Sequence, residues 1–243
     1  MRVLSYNIHK GIGGRDRRYR LERTVEVISS LNPDFVCLQE VDRDVKRSRH
    51  DDQPQILTEL LGVADSFFQL NVKLKSGGYG NLILSRWPIV TRHSVSLRMW
   101  LKKPRGAQVV CVETPEGRLQ LVNWHLGLAE FERTWQAKKL LNHSLFQENA
   151  ELPTLVIGDT NDWRNSLRRG AFADHGFEHI THPISKFRTF PAWLPMGSLD
   201  KAFGRGITIH EAKPVRTSLS HSASDHLPLV IDFSLTKSRL VSD

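Results

Sequence analysis

The sequence is poor in cysteine, with Cys37 and Cys111 as its two thiols, each inside an apolar run. Two isolated thiols exclude a disulfide-rich secreted scaffold. The lack of a CxxC pair also argues against a zinc site built from thiolates. We therefore expect two buried, reduced cysteines in a cytoplasmic protein.

Long apolar runs are missing as well. No stretch approaches the roughly 18 apolar residues of a membrane-spanning helix. The N-terminal sequence MRVLSYNIHKG has neither the apolar segment nor the cleavage site of a signal peptide. Internal repeats, low-complexity tracts and Pro/Gly/Ser-rich linkers are also absent. We predict a single domain over residues 1–243, without a transmembrane segment, and expect it to be a monomer.

Basic residues are in excess, with a net charge of +8 at pH 7 and an isoelectric point near 9.7. Such an excess favours polyanionic partners, either nucleic acid or an anionic membrane surface. Hydrophobic residues make up 40% of the chain, which is enough for a sizeable core. The charge indicates a class of partner and gives no information about a reaction.

Short runs of branched apolar and aromatic residues predict strands. They are RVLSYNI, DFVCLQE, NLILS, VVCVET, LQLVNWHL, TLVIG and LPLVIDFSL. Many are apolar on both faces, so both faces of a sheet should be covered. Strands outnumber helices between residues 66 and 126. This pattern favours two stacked sheets with helices outside over a doubly wound sheet.

Two longer segments have the spacing of amphipathic helices. RLERTVEVISSL places Leu21, Val25 and Ile28 on one face. EFERTWQAKKLLNHSLFQE is predicted to form one helix, and the apolar residues that share its face are Phe131, Trp135, Leu140 or Leu141, and Leu145.

Polar side chains stand at the ends of six predicted strands. They are Asn7 and His9, Glu40, Asn123 and His125, Asp159 and Asn161, Asp200, and Asp225 with His226. Each alone has an ordinary explanation as a turn residue, a solvated carboxylate or a packed histidine. Together they supply the oxygen ligands that Mg²⁺ and Mn²⁺ prefer, and imidazoles for acid–base work. This inventory suits metal-assisted attack of water on a phosphate.

Eight pieces of the chain, in order between residues 3 and 232, resemble motifs of the endonuclease/exonuclease/phosphatase superfamily. They are YNIHKG, CLQE, GNLILSRWPI, RGA, VNWHLG, IGDTND, SLDKAF and SDHLP. That superfamily includes deoxyribonuclease I, exonuclease III, sphingomyelinases and inositol-phosphate phosphatases. The resemblance implies an α/β (α+β) fold: a four-layer α/β/β/α sandwich with two central, mostly antiparallel β-sheets.

The resemblance also implies a cofactor and its ligands. Mg²⁺ or Mn²⁺ should be held mainly by Glu40, with help from Asn7 and Asp225. The phosphate of the substrate should contact Asn7, Asn161 and His226. Several relatives carry an acidic residue where this chain has His9, which puts a second metal ion there in doubt.

The catalytic roles carried over from the resemblance fall on five residues. Asp159 and Asn161 should position or deprotonate the attacking water, and Asp200 should orient His226. The general base is assigned jointly to Asp159 and His226. His125 should stabilise the phosphorane or protonate the leaving oxygen, as in the deoxyribonuclease-like branch. Exonuclease-III-like enzymes have asparagine at that position, so His125 argues against membership of that branch.

Three other functions are less well supported by the residues. The segment HSASDH contains Ser222, Ser224, Asp225 and His226, but neighbours in sequence rarely form a triad, and no GxSxG elbow is present. DTNDW begins like a calcium loop but lacks its glycine and final glutamate. A catalytically inactive binding module is the third reading, and the complete polar set counts against it.

The substrate is argued from loops that follow the predicted site. Three of them, KGIGGRDRRYR, DRDVKRSRH and NDWRNSLRRG, are basic and supply Arg15, Arg17, Arg18, Arg47 and Arg49 among others. The loop FRTFPAWLPMGS adds Phe190, Trp193, Leu194 and Met196, which can stack on bases, enter a lipid interface or cover the core. We expect a nuclease acting on DNA or RNA first, an enzyme acting on anionic phospholipid or another phosphodiester second, and a small phosphate-ester phosphatase third.

Overall fold

The computed structural model of the protein describes residues 1–168 and 170–236. In chain order its strands are β1 (Arg2–Asn7), β2 (Phe35–Arg43), β3 (Asp65–Lys73), β4 (Gly78–Ser85), β5 (Ile89–Ser96), β6 (Gly106–Thr114), β7 (Gly117–His125), β8 (Thr154–Asp159), β9 (Glu178–His179), β10 (Asp200–Arg205), β11 (Ile207–Pro214) and β12 (Leu229–Leu235). Its α-helices are α1 (Leu21–Leu31), α2 (Gln53–Leu61), α3 (Glu130–Leu141), α4 (Ser144–Gln147), α5 (Ala171–Asp174) and α6 (Ser218–Ala223).

The strands form two six-stranded sheets. The first sheet has the order β11-β12-β1-β2-β4-β3, and the second has the order β5-β6-β7-β8-β10-β9. Neighbouring strands are antiparallel except for β1 with β2 and β7 with β8. Each parallel pair needs a crossover connection, which α1 supplies in the first sheet and α3 with α4 in the second. The prediction of two mostly antiparallel sheets is confirmed.

Three apolar layers hold the four layers of the sandwich together. Between the sheets lies a core that includes Phe35, Cys37, Val110, Ile157 and Phe233. A second core packs α3 and α5 on the outer face of one sheet, and a third packs α1, α2 and α6 on the outer face of the other. The α/β/β/α arrangement is therefore confirmed. Both cysteines are buried free thiols, as expected.

The predicted helix after residue 129 differs from the structure. It is broken into α3 and α4, because the His143 side chain accepts a hydrogen bond from the Leu145 backbone N–H and caps the second helix. The predicted apolar face is correct for Leu140 and Leu141, which are buried, and wrong for Phe131, which is 61% exposed, and for Trp135, which is also exposed. α3 instead buries polar residues such as Gln136, whose Nε2 donates to the Leu97 carbonyl at 3.0 Å.

Asn123 explains why a strand of the central core contains an amide. Its Nδ2 donates to the Leu38 carbonyl of the opposite sheet at 2.9 Å and to Gln108 Oε1 at 3.0 Å. Its Oδ1 accepts from Gln39 Nε2 at 2.8 Å. Asn123 is thus a buried tie between the sheets and stands away from the strand ends. No α-helix within the described ranges has the length and apolarity needed to cross a bilayer.

Replacing Asn123 with Ala should lower the free energy of unfolding by about 3 kcal/mol, because the Leu38 carbonyl, Gln108 and Gln39 each lose a buried hydrogen bond. Urea unfolding followed by circular dichroism measures the change. Asn142→Ala, at an exposed asparagine just after α3, is the matched control and should change it by less than about 0.5 kcal/mol. Equal effects of the two substitutions would show that the buried tie contributes nothing to stability.

Candidate active site

The predicted site residues meet at one edge of the two sheets. The carboxyl ends of β1, β2, β7 and β8 all reach this edge, because each parallel pair runs in one direction and the pairs lie face to face. The strands antiparallel to them, β6, β10 and β12, begin there. A cavity of about 410 Å³ opens at this edge. Its lining residues are Asn7, His9, Lys10, Glu40, Lys102, Lys103, Arg105, His125, Leu128, Ala129, Glu132, Asp159, Asn161, Asp225 and His226.

Asp159 is the centre of the arrangement. Asn7 Nδ2 donates to Asp159 Oδ2 at 2.9 Å, which joins the ends of β1 and β8 across the two sheets. The backbone N–H of Asn161 donates to the other oxygen, Oδ1, at 2.9 Å. Asn161 has a φ of +51°, a left-handed conformation that asparagine adopts more readily than most residues. Both oxygens of the Asp159 carboxylate therefore accept a hydrogen bond from a neighbouring residue, which fixes the orientation of the group.

His226 lies between two buried carboxylates. Its Nδ1 is 2.9 Å from Asp200 Oδ2, and its Nε2 is 3.7 Å from Asp159 Oδ2. Burial alone would lower the pKa of His226, but the charges of Asp200 and Asp159 outweigh burial and raise it. Burial raises the pKa of Asp159, against the opposing charge of His226. At neutral pH the imidazole is thus held in its charged form, with Asp200 fixing the ring orientation.

His125 approaches the same oxygen of Asp159 as His226 does. Its Nε2 is 3.3 Å from Asp159 Oδ2 and 3.2 Å from Asn161 Nδ2. Burial, with the positive charge of Arg105 added to it, holds the pKa of His125 well below its usual value. This imidazole is therefore neutral at physiological pH. It can offer or accept a hydrogen bond but carries no surplus proton.

Glu40 and Asp225 supply carboxylates to the cavity. β2 shifts register between Leu38 and Val41, and at this bulge Glu40 has a φ of +57°. The Glu40 carboxylate forms an ion pair with Lys10. Burial would raise the pKa of Glu40, but Lys10 outweighs burial and lowers it well below the usual range. Asp225 Oδ2 lies 3.8 Å from His9 Nε2.

These residues fit a hard divalent cation, because the donors are carboxylate and amide oxygens and Glu40 is held in its ionised form. Glu40, Asp225 and the Asn7 side chain are the residues that would hold it. Asp159, Asp200 and His226 also have potential ligand atoms within 4.8 Å of one another. In that second group the Asp200–His226 hydrogen bond already engages one ring nitrogen, which is the geometry of a carboxylate–imidazole pair.

Sequence reasoning missed several residues of the cavity. Lys10 lies in the YNIHKG segment, three residues after Asn7, and this position was the only indication in the sequence that it belongs to the site. Arg105 lies in the RGA piece, which was noted without a role. Glu132 is brought to the cavity by α3 and was given no role in the sequence analysis.

The five arginines singled out from the sequence have different environments. Arg15, Arg17, Arg18 and Arg49 are exposed. Arg47 makes two hydrogen bonds to the buried Asp42 carboxylate, at 2.9 and 2.7 Å, so its guanidinium is committed to the protein itself. Arg169 of the third basic loop lies outside the described residues.

Comparison with known proteins extends these observations. The model of the Endonuclease/Exonuclease/phosphatase family matches residues 4–226. The uncharacterized protein YbhP of Escherichia coli (strain K12) is 29% identical over 247 residues, which cover 96% of this chain and 96% of that protein. The crystal structure of an endonuclease/exonuclease/phosphatase from Beutenbergia cavernae has a TM-score of 0.79 at 24% identity, covering 97% of this chain and 71% of that one. The human Nocturnin catalytic domain with bound sulfate has a TM-score of 0.74 at 24% identity, covering 97% and 93%.

The Asp200–His226 pair generates a prediction for double substitution. Asp200→Asn and His226→Ala should each reduce kcat/KM for bis-p-nitrophenyl phosphate by about 10²-fold, and the double variant should be little worse than His226→Ala. The reason is that Asp200 acts by orienting the imidazole, so its effect disappears with the ring.

Asp174→Asn, at an exposed carboxylate in α5, is the control and should leave the rate unchanged. If the losses of the two single variants multiply in the double variant, then the two residues act independently and the pairing is wrong.

Proposed function

Because the chain belongs to the endonuclease/exonuclease/phosphatase family, we propose that it hydrolyses a phosphodiester bond by attack of water, in a reaction that depends on Mg²⁺ or Mn²⁺. Members of this family are phosphoester hydrolases. The observation that carries the proposal is the buried Asp159 carboxylate, whose Oδ2 has His125 Nε2 at 3.3 Å and His226 Nε2 at 3.7 Å. Such a site can hold the attacking water, the phosphorus atom and the leaving oxygen in one line.

The residues divide the work by position. Asp159 and Asn161 hold the attacking water, and Asp159 takes its proton, since it is the carboxylate whose Oδ2 lies within 4 Å of both imidazoles. His226, oriented by Asp200, donates from Nε2 to a phosphate oxygen. A Mg²⁺ or Mn²⁺ ion at Glu40, Asp225 and Asn7 would neutralise charge on the phosphate oxygens.

The role of His125 follows from its protonation. A neutral imidazole can donate a hydrogen bond to an oxygen of the pentavalent phosphorane or to the leaving oxygen, but it has no surplus proton to transfer. Of the two roles implied by the family resemblance, stabilisation of the transition state is therefore favoured.

Metal dependence is tested by binding as well as by rate. Hydrolysis of bis-p-nitrophenyl phosphate should vanish in chelator and return with Mg²⁺ or Mn²⁺. Calorimetric titration with Mn²⁺ should show binding that Glu40→Gln weakens about tenfold or more, because a charged ligand is lost.

Glu22→Gln, at an exposed carboxylate in α1, serves as the matched control and should bind Mn²⁺ like the wild type. Full activity after exhaustive chelation would remove the metal from the mechanism.

Nucleic acid is the first candidate substrate. The chain has a net charge of +8, and Arg15, Arg17 and Arg18 are exposed on the loop that follows the site residues of β1. Arg15 also lines a groove with Trp193. Cations beside an exposed indole suit a phosphate backbone with stacked bases.

Anionic phospholipid is the second candidate, favoured by the exposed apolar side chains around the cavity. Trp100, at the tip of the loop between β5 and β6, is 89% exposed, and Leu101 beside it is fully exposed. Other exposed apolar side chains lie on the loops that follow β7 and β8 and on the loop that precedes β10, three strands that carry site residues; they are Leu128, Trp163, Trp193, Leu194 and Met196, and together with Trp100 and Leu101 they are called the apolar rim. Lys102 and Lys103 lie on the same loop as Trp100. Apolar tips with neighbouring lysines are typical of proteins that enter an anionic lipid interface.

The two candidates differ in their response to salt and to substitution of the rim. For nucleic acid, affinity should fall steeply with salt, by about one log–log unit per phosphate contact, and replacing Arg15 and Arg17 with Gln should flatten that slope. For phospholipid, replacing Trp100 and Trp193 with Ser should abolish sedimentation with anionic vesicles. Phe190 is a poor choice for this test, because its ring lies 4.9 Å from the His226 ring.

We expect the nucleic-acid result. A preparation that ignores DNA and RNA at low salt, yet sediments with phosphatidylglycerol vesicles through Trp100 and Trp193, would reverse the order of the two candidates.

A further inference from the structure

Arg105 is a buried cation that faces the cavity without a counter-charge. It precedes β6, is 7% exposed, and its guanidinium lines the cavity beside His125. Its Nε is buried with no hydrogen-bond partner, and among the described residues no carboxylate comes within the 4.0 Å of an ion pair. Buried arginines are normally paired, because an unpaired charge away from water is costly.

Other cations at this edge show the usual pattern. Lys10 pairs with Glu40, and Arg47 pairs with Asp42. Arg133 is as buried as Arg105 and likewise has a buried Nε without a partner, but its other two nitrogens are engaged: one donates to the Leu128 carbonyl at 2.6 Å and the other lies 3.5 Å from Asp162. The contrast indicates that the protein leaves the Arg105 guanidinium free for a group from outside.

The surroundings of Arg105 select an anion. Lys103, two residues earlier, is exposed on the rim, with its Nζ 5.3 Å from the centre of the Tyr79 ring. Glu132 is the carboxylate of α3 that also lines the cavity, but its Oε1 accepts a hydrogen bond from Gln136 Nε2 at 3.2 Å and it forms no ion pair with Arg105. Glu132 therefore leaves the Arg105 guanidinium without an ion pair. The other carboxylates of the cavity lie beside other groups: Glu40 pairs with Lys10, Asp159 lies beside the two imidazoles, and Asp225 lies beside His9.

We propose that Arg105 and Lys103 form a subsite for a second phosphate of the substrate, next to the scissile phosphodiester on the His125 side. The planar guanidinium suits two parallel hydrogen bonds to a phosphate, and Lys103 adds a mobile charge at the rim. The second phosphate is the neighbouring phosphate of a polynucleotide or the phosphomonoester of a lipid. This inference depends on the proposed function in one respect only, namely that the bond cleaved in this cavity is a phosphodiester.

Two chromogenic diesters that differ by one phosphate test the subsite. Thymidine 5′-(p-nitrophenyl phosphate) is compared with its 3′-phosphorylated form, in the presence of Mg²⁺ or Mn²⁺. The wild type should favour the phosphorylated form in kcat/KM by about tenfold or more, mainly through KM, as expected for a charge-assisted contact. Arg105→Met should bring the ratio of the two kcat/KM values close to one, and Arg105→Lys should restore part of it.

Arg98→Met is the matched control, because Arg98 is exposed on the same loop and outside the cavity lining. It should keep the wild-type ratio. If Arg105→Met does not fold, Lys103→Met, at an exposed position, should still lower the ratio. A wild-type ratio near one, or a ratio unchanged in the Arg105 and Lys103 variants, would overturn the subsite.

Binding separates failure of the subsite from failure of the proposed function. If neither diester is hydrolysed, the proposed function fails, and calorimetry then compares thymidine 3′,5′-bisphosphate with thymidine 5′-monophosphate. A tenfold tighter bisphosphate complex that depends on Arg105 supports the subsite on its own. Sedimentation with vesicles containing phosphatidic acid identifies a lipid source if that binding depends on Arg105. If neither the binding of the bisphosphate nor the sedimentation with vesicles depends on Arg105, then the second-phosphate site is excluded.

Discussion

The hydrogen bond from Asn7 to Asp159 joins the ends of two strands that belong to different sheets. It forms because the two parallel strand pairs, β1 with β2 and β7 with β8, finish at the same edge of the sandwich. Fixing Asp159 in this way places it within 4 Å of both His125 and His226. The rest of the site is arranged around this carboxylate, whose burial raises its pKa.

The two sheets that carry the site are held together by a second set of buried polar contacts. Asn123, Gln39 and Gln108 exchange hydrogen bonds in the centre of the sandwich, where the surrounding residues are apolar. Buried amides in such a place hold the two sheets in one register, because a shifted register would leave them unsatisfied. The edge can therefore carry exposed loops while the strand ends that bear the site stay fixed.

Most of the residues that line the site were predictable from the sequence, because a polar residue is conspicuous where an apolar strand ends. The family and the four-layer fold were likewise predicted and are confirmed. All four edge strands were missed. β3, β5 and β11 are partly exposed and so have mixed polar and apolar residues, and β9 is only two residues long. Lys10 and Arg105 could not be assigned from spacing. Their positions depend on the bulge at Glu40 and on the pairing of β6 with β7, which only the folded chain defines.

The central claim is that water attacks phosphorus at Asp159. The most direct measurement is hydrolysis of bis-p-nitrophenyl phosphate in water enriched in heavy oxygen, by the wild type and by Asp159→Asn, with products analysed by mass spectrometry. The account predicts that the wild type places one heavy oxygen in p-nitrophenyl phosphate and none in p-nitrophenol, and that Asp159→Asn is slower by about 10²-fold or more. Heavy oxygen in the phenol, or an Asp159→Asn variant as fast as the wild type, would contradict it.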